Sequence, residues 1–477
     1  MPAPDRPTSY RYWIALTITA LALRLAVAIV LIGVSKGPAQ RTGDAFAYAD
    51  QAHDMVAGEW TYPNFWPAGR SFALVPFFWA FGTSEATVRA NSIAFDIACV
   101  LMAAVLGHQI LRRRSAARLS GWIAACYPPM VLLASKSYSM NVAMFFLLLF
   151  ASLTIAACRS YGKSLWQTLA LWLLAGGALG FACITRPSAQ SIWALGLAGG
   201  VVILLLHQWR PQVFSAAVWP YVSWKNGMLA GAAAMLGVFL SELPCLGHNY
   251  SLNAGWVLSV NNEWNCLLGN NPYTPYYKTW HLGETRGAST PEIQAYLAKF
   301  KGKDVPRSAM VQEAIRYVKE RPDIFALRTA NRIRAYWGFD YLGSSVLMQT
   351  NKPLGALFLL LEASGYCLLM LLVFGSLFMV FGKMSADSSG MAARYAWFLI
   401  AMVLAYQFPY ALTHAGGSYR FAIMGMLFPL AGLALDEACL GKRGGWPALL
   451  RRKGFWIVLG MFSLVQLEYA YWVLAYH

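Results

Sequence analysis

The chain returns repeatedly to apolar runs of about twenty residues, each long enough to cross the hydrocarbon of a bilayer as a helix. The first leads from Ile14 to Val34, and others follow near 88–111, 139–158, 167–184, 189–206, 226–242, 354–380, 395–412, 420–438 and 455–473. A shorter run at 119–134 contains Pro128 and Pro129. Together they make about eleven spans, within a range of about nine to thirteen. With 58% of residues hydrophobic and 12% charged, a water-soluble chain of this length could not cover its apolar surface. The sequence therefore predicts an all-α polytopic membrane protein. No A-x-A cleavage site follows the first run, which reads as a retained helix rather than a signal peptide.

The formal net charge is +17. Much of it sits in short segments between alternate runs: Arg112, Arg113, Arg114 and Arg118; Lys163; Arg210 and Lys225; Lys383 and Arg394; then Lys442, Arg443, Arg451, Arg452 and Lys453. That clustering is the signature of cytoplasmic loops, so it implies topology and contact with anionic lipid rather than nucleic acid. It places the opposite loops outside a bacterial inner membrane. The organisation expected is an N-terminal membrane module over 1–242 with a first external loop near 35–70, an external subdomain over 243–350, and C-terminal membrane helices over 351–477. Within the subdomain, Asp304 to Glu320 reads as a helix with Pro306 near its start and Pro322 near its stop. Cys99, Cys126 and Cys183 read as small buried hydrophobes, while Cys245 and Cys266 share the external region and could pair. Gly176–Gly177 and Gly199–Gly200 read as helix-packing positions. There is no Walker A loop and no GxGxxG.

The segment GDAFAYADQAHDMVAGEW, 43–60, collects three aspartates, a histidine and a glutamate just beyond the first run. Ala45, Ala49, Ala52 and Val56 give it one weakly apolar face, suited to a helix on the membrane surface. Asp50 and Asp54 share a face and keep it wet. Asp44 opens the helix, where an acid either caps the first turn or stands as a base at headgroup depth. Asp96 falls inside a span, where an acid must be paired or line a cavity.

Six motifs occur in order. The first two are the Asp44, Tyr48, Ala52, Gly58 series and FWPAGRSFALVPFFWAFG running into FGTSEATVRANSIAFDIACVLMAAVLG. GGALGFACITRPSAQ, GNNPY, AIRYVKERPDIFALRTANRIRAYWGF and HAGGSYRFAIMGMLFPLAG follow. The series resembles integral-membrane glycosyltransferases of the GT-C class, the superfamily of the bacterial aminoarabinose transferases and protein mannosyltransferases. It covers most of 40–435. The resemblance implies an inverting glycosyltransferase that moves a sugar, hexosyl or pentosyl, from a polyprenyl-phosphate carrier to a lipid, glycan or protein of the cell envelope at the periplasmic face. No cofactor and no divalent metal is indicated. The acid of the first external loop maps to Asp44 as the catalytic carboxylate. Two departures separate the chain from the branch that modifies lipid A: W-P-A-G-R stands in place of an E-K-P-P run, and Ser418 stands where an RYR motif has its first arginine.

A carrier phosphate calls for cations near headgroup depth. Arg420, Arg186, Lys136, Arg70 and His414 are the candidates, with Arg332 and Arg334 behind them. A snorkelling anchor is the competing reading for Arg420. Tyr48, Asp54, Asn262, Glu263 and Tyr419 are candidates for the sugar or acceptor, with Asn261, His281 and Glu284 in the same loop. His281 and Glu284 are a poor metal signal, because Gly283 breaks the helix their spacing needs. Two other classes remain: a flippase or transporter of lipid-linked glycans, and a polymerase or ligase of them. Related halves or charges deep in the spans would favour the first.

Overall fold

A computed structural model describes residues 9–34, 44–111, 113–134, 136, 138–161, 164–209, 224–276, 290–300, 306–381, 391–440 and 445–476. Gly43, His281 and Glu284 lie outside the described residues. Among those described, all regular structure is helical. The chain is a multi-pass membrane protein: among the described residues, eight helices are long and apolar enough to cross a bilayer.

The N-terminal part comprises α1 (Tyr10–Val34), α2 (Asp44–Ala57), α3 (Gly69–Phe81), α4 (Glu85–Ile110), α5 (Arg114–Cys126), α6 (Pro128–Leu133), α7 (Met140–Ser160), α8 (Leu165–Thr185), α9 (Gln190–Trp209) and α10 (Trp224–Ser251). Then come α11 (Asn262–Gly269), α12 (Pro291–Ala298), α13 (Ser308–Glu320), α14 (Pro322–Tyr336) and α15 (Leu342–Thr350). The C-terminal part holds α16 (Lys352–Phe381), α17 (Met391–Leu412), α18 (Phe421–Met424), α19 (Phe428–Leu440), α20 (Gly445–Leu450) and α21 (Lys453–Tyr476). One core joins α1, α4, α5, α7, α8, α17 and α19.

Several local outcomes follow from single residues. Pro322 stands near the stop of α13 as expected: α13 ends at Glu320, and Arg321, the residue before the proline, leaves the helical region with φ −131° and ψ 63°. Pro322 also opens α14 as its first residue, where a missing N–H costs nothing. α10 runs on through Pro244 to Ser251. Its packing against α8 needs bare backbone: a Cβ at Gly176 or Gly237 would strike the carbonyl oxygen of Ala234 or Leu173. Among the described residues, nothing lies within 4 Å of a Cβ built at Gly199 or Gly200, whereas the first glycine pair packs as expected. Cys99 and Cys183 are buried, Cys126 is exposed, and Cys245 and Cys266 are unpaired thiols.

The break between α5 and α6 explains a charged residue in the middle of the first span. Pro128 and Pro129 lack N–H groups, so the Ala124 and Ala125 carbonyls lose their helical donors. Inside a membrane such acceptors must find others. Arg24 supplies them, with Nη1 2.6 Å from Ala125 O and Nη2 3.5 Å from Ala124 O. Its Nε lies 2.5 Å from Asp96 Oδ2, and both side chains are buried. The intramembrane acid is therefore paired, and its partner is a cation that also mends the proline break.

Candidate functional site

α2 does not lie free on a membrane surface. Its apolar face, with Ala49 and Ala52, packs on Leu74, Val75 and Phe78 of α3 and on Val88 of α4. The turn that follows is tied to both. Gln51 donates to Asn64 Oδ1 at 2.9 Å, and Ser71 Oγ donates to Gln51 Oε1 at 2.7 Å and to the Tyr48 carbonyl at 2.9 Å. Gly69 is pressed onto Thr185, so α3 starts against the end of α8. These contacts hold the first residue of α2, Asp44, at the end of the bundle where α8 stops.

Asp44 is exposed. Its Oδ1 accepts a hydrogen bond from Trp66 Nε1 at 3.0 Å. The carboxylate and the Arg186 guanidinium act on each other electrostatically, and both act on the hydroxyls of Tyr48 and Tyr419. Arg186 is placed by the motif around it. Pro187 disfavours a helical conformation at the residue before it, and Arg186 is extended, with φ −143° and ψ 101°. Its guanidinium lies 5.9 Å from the Tyr419 ring, and its buried Nε meets no hydrogen-bond acceptor among the described residues.

Tyrosines complete the group. Tyr410 and Tyr419 stack with centroids 4.9 Å apart, and Ser188 Oγ donates to Tyr410 OH at 2.9 Å. Tyr48 is buried beside Ser139, whose Oγ donates to its hydroxyl at 3.3 Å; burial pushes the Tyr48 phenol up. His414 Nε2 is 3.0 Å from Tyr419 OH. Burial, then the Arg332 and Arg186 charges, push His414 down to about 4, so the ring is neutral at pH 7. Its buried Nδ1 meets no hydrogen-bond partner among the described residues.

Asp44, Tyr48, Arg186, His414 and Tyr419 thus come together from three separated stretches of chain. The other candidates do not join them. Arg420 is buried, donates to the carbonyls of Tyr336 (2.6 Å) and Gly338, and lies 3.9 Å over the Tyr366 ring. Lys136 Nζ donates to Leu342 O at 2.5 Å, near Asp340 and Glu362, and burial pushes it down to about 8. Arg70 is buried between α3 and α4 on Asn91 and on Ser92 Oγ at 2.7 Å. Arg332 donates to Leu412 O at 3.0 Å and Gly269 O at 2.5 Å, while Arg334 pairs with Glu468 at 2.5 Å. Asp54 accepts from Tyr62 OH at 2.7 Å. Asn262 is exposed, and the half-buried Glu263 acts electrostatically on Cys266. Sequence reasoning did not single out Trp66, Ser139, Ser188 or Tyr410. Trp66 lay inside a quoted motif, but nothing in the sequence aims its indole at Asp44.

Among solved structures, the chain is similar to the apo oligosaccharyltransferase of Archaeoglobus fulgidus, at 13% identity and a TM-score of 0.53, over 96% of this chain and 55% of that one. The fold is that of the GT-C class. The chain spans about half the length of that transferase. Two matches score lower. The A. fulgidus oligosaccharyltransferase AglB in complex with an inhibitory peptide and a dolichol-phosphate gives a TM-score of 0.47 at 13% identity, over 96% of this chain and 55% of that one. ArnT from Cupriavidus metallidurans bound to undecaprenyl phosphate gives 0.36 at 14% identity, over 92% and 79%. No protein-family model and no curated protein matches the chain.

Proposed function

We propose that the chain is an inverting glycosyltransferase that takes a sugar from a polyprenyl-phosphate carrier and passes it to an acceptor hydroxyl at the external face of a bacterial inner membrane. The observation that carries this reading is the juxtaposition of an exposed carboxylate, Asp44, with the half-buried Arg186, whose Nε has no protein acceptor among the described residues. A transfer of this kind needs a base for the incoming hydroxyl and a cation for the departing phosphate, a few ångströms apart. The GT-C fold supports the same reading.

In the proposed step, Asp44 accepts the acceptor proton as its oxygen forms a bond to the anomeric carbon. The carbon–oxygen bond to the phosphate breaks on the opposite side, and its electron pair leaves on the carrier phosphate. Arg186 neutralises the charge that develops there. Trp66 holds one oxygen of Asp44, which leaves the other for the acceptor. Tyr419, backed by the buried Tyr410 ring, offers an aromatic surface to a sugar, and neutral His414 offers Nδ1 as a hydrogen-bonding atom. Arg420, Lys136 and Arg70 are not given a phosphate, because Arg420 Nη1, Lys136 Nζ and both Arg70 Nη atoms already serve protein acceptors.

The test is to incubate the purified full chain with polyprenyl-phosphate sugars and acceptor extracts and to follow release of polyprenyl phosphate. Release that depends on Asp44 supports the reading. Movement of carrier between leaflets without release would make the protein a flippase, and turnover confined to polyprenyl-diphosphate glycans would make it a polymerase or ligase.

A further inference from the structure

At the other end of the bundle, where α1 begins and α4 and α7 end, lies a cavity of about 740 Å³. Its lining includes Tyr10, Arg11, Trp13, His108, Gln109 and Arg159, and no residue of the lining is acidic. Two more cations stand behind it, because Arg114 and Arg118 both act electrostatically on the His108 ring. Two acids described at this end are already engaged: Arg113 pairs with Glu437 at 2.5 Å and Asp436 at 3.3 Å.

The cavity walls are held in place. Arg159 donates to the Gln109 carbonyl and lies 5.3 Å from the Tyr395 ring. The Trp13 ring is 6.2 Å from His108, and Arg118 lies 5.7 Å over Tyr12. Two buried polar atoms beside this wall, Gln109 Oε1 and Arg118 Nε, meet no hydrogen-bond partner among the described residues. The Arg11 guanidinium makes no hydrogen bond or ion pair among them either, although its backbone N–H bonds Ser9. The result is a concave site with positive charge, aromatic rings at interfacial depth, and apolar helix flanks below.

We propose that this cavity holds the phosphate-bearing headgroup of an anionic phospholipid from the leaflet on the basic side of the membrane. A phosphodiester with a net negative charge satisfies Arg11 and Arg159, and its glycerol lies against Tyr10 and Trp13. The acyl chains run down the exposed apolar face of α1, where Ile14, Ile18 and Leu21 point outward. Basic pockets between membrane helices recognise acidic headgroups through this combination. The site is at the opposite end of the bundle from Asp44, so it does not depend on the proposed transfer reaction.

The test is native mass spectrometry of the full-length protein in detergent, titrated separately with phosphatidylglycerol, phosphatidylcholine and inorganic phosphate. Phosphatidylglycerol should be retained as one tight adduct per chain, and phosphatidylcholine should not. The Arg11→Gln/Arg159→Gln variant should retain it about 30-fold less well, the effect expected of two basic residues at an acidic surface. If loss of the Arg159 contacts lowers stability, Arg11→Gln alone is decisive and should cost about fivefold. Equal retention of the two lipids, or undiminished retention by Arg11→Gln, would overturn the assignment. Displacement of the lipid by millimolar inorganic phosphate would show that the site serves a soluble phosphate instead, which also overturns it.

Discussion

Asp44→Asn separates chemistry from architecture at this site. Asparagine keeps the size of the side chain and an oxygen that can accept from Trp66 Nε1 in place of Asp44 Oδ1. What disappears is a negative charge in the first turn of α2, whose interaction with the helix N-terminus is worth about 0.3–1 kcal/mol. Solvent exposure puts Asp44 at the low end of that range. The packing of Ala45, Tyr48, Ala49 and Ala52 is untouched. Loss of a general base, in contrast, costs about 10²- to 10⁴-fold in rate, or about 2.7–5.5 kcal/mol of barrier. The two roles therefore differ by several kcal/mol in what the variant should lose. The assay is single-turnover release of polyprenyl phosphate, alongside thermal unfolding and carrier binding. The expected result is near-complete loss of turnover with unfolding and binding close to wild type. Retention of more than about a tenth of the wild-type rate would refute general-base catalysis by Asp44, and Asp54 and Glu263 would be the next carboxylates to replace.

Arg186→Gln should weaken binding of polyprenyl phosphate about 10- to 100-fold, the value of a charge-assisted hydrogen bond, without lowering the unfolding midpoint; unchanged affinity removes Arg186 from the phosphate. Arg420→Ala should do the reverse, because it strands the carbonyls of Tyr336 and Gly338 at a cost of about 1–3 kcal/mol each; a stable variant with weakened carrier binding would restore Arg420 as a ligand. Arg24→Leu should cost about 3–5 kcal/mol because it leaves Asp96 buried and unpaired, and adding Asp96→Leu should recover part of the loss, measured by denaturation in detergent. No recovery would mean that mending the proline break, not the ion pair, is the larger contribution. His414, held at about 4 against 6.5 for a free histidine, is neutral in both states above about pH 6.5. As pH falls toward about 4 the unfolded chain takes up a proton that the folded chain refuses, so stability should fall through that window. His414→Gln should remove this component, and an unchanged pH profile in the variant would contradict it.

The sequence was most informative where a physical requirement has a fixed length or spacing. Spans show as twenty-residue runs, Gly176 shows as a close-packing position, and Asp44 shows as an acid just beyond a membrane helix. It was least informative about partners. Asp96 was legible as an acid that needed a cation, but Arg24, 72 positions away, is joined to it only by the fold. The apolar face of α2 fits a lipid surface as well as it fits α3, because alanine spacing does not say what covers it. Pro322 was legible as the stop of α13, but not as the start of the helix that follows. Tyr419 was legible as a candidate for the sugar, whereas Tyr410 was not singled out; their stacking comes from the return of the chain after α17, which no local pattern records.

The same distinction sorts the arginines. A guanidinium can hold a ligand phosphate or several backbone carbonyls, and in sequence the two uses look alike. Arg420 sits at the end of α14, Arg332 bridges the ends of α11 and α17, and Arg328 donates to the carbonyls of Asn271 (2.9 Å) and Thr274. Arg24 does the same at a proline break. Helix ends leave their last carbonyls without intrahelical donors, and the short helices between Asn262 and Thr350 have many such ends. Their excess of arginine is therefore partly structural. Arg186 differs because of the residue that follows it. Pro187 fits an extended backbone at 186, which takes the residue out of the α8 helix at its last turn. The hydrogen bonds assigned to Arg186 itself involve its backbone, with Arg186 N donating to Ala182 O and Arg186 O accepting from Ala189 N. Its guanidinium is left beside tyrosine rings, within electrostatic reach of Asp44, and among the described residues it donates to no main-chain oxygen. In a region where other buried arginines are committed to main-chain oxygens, that leaves Arg186 available for an anion brought from outside.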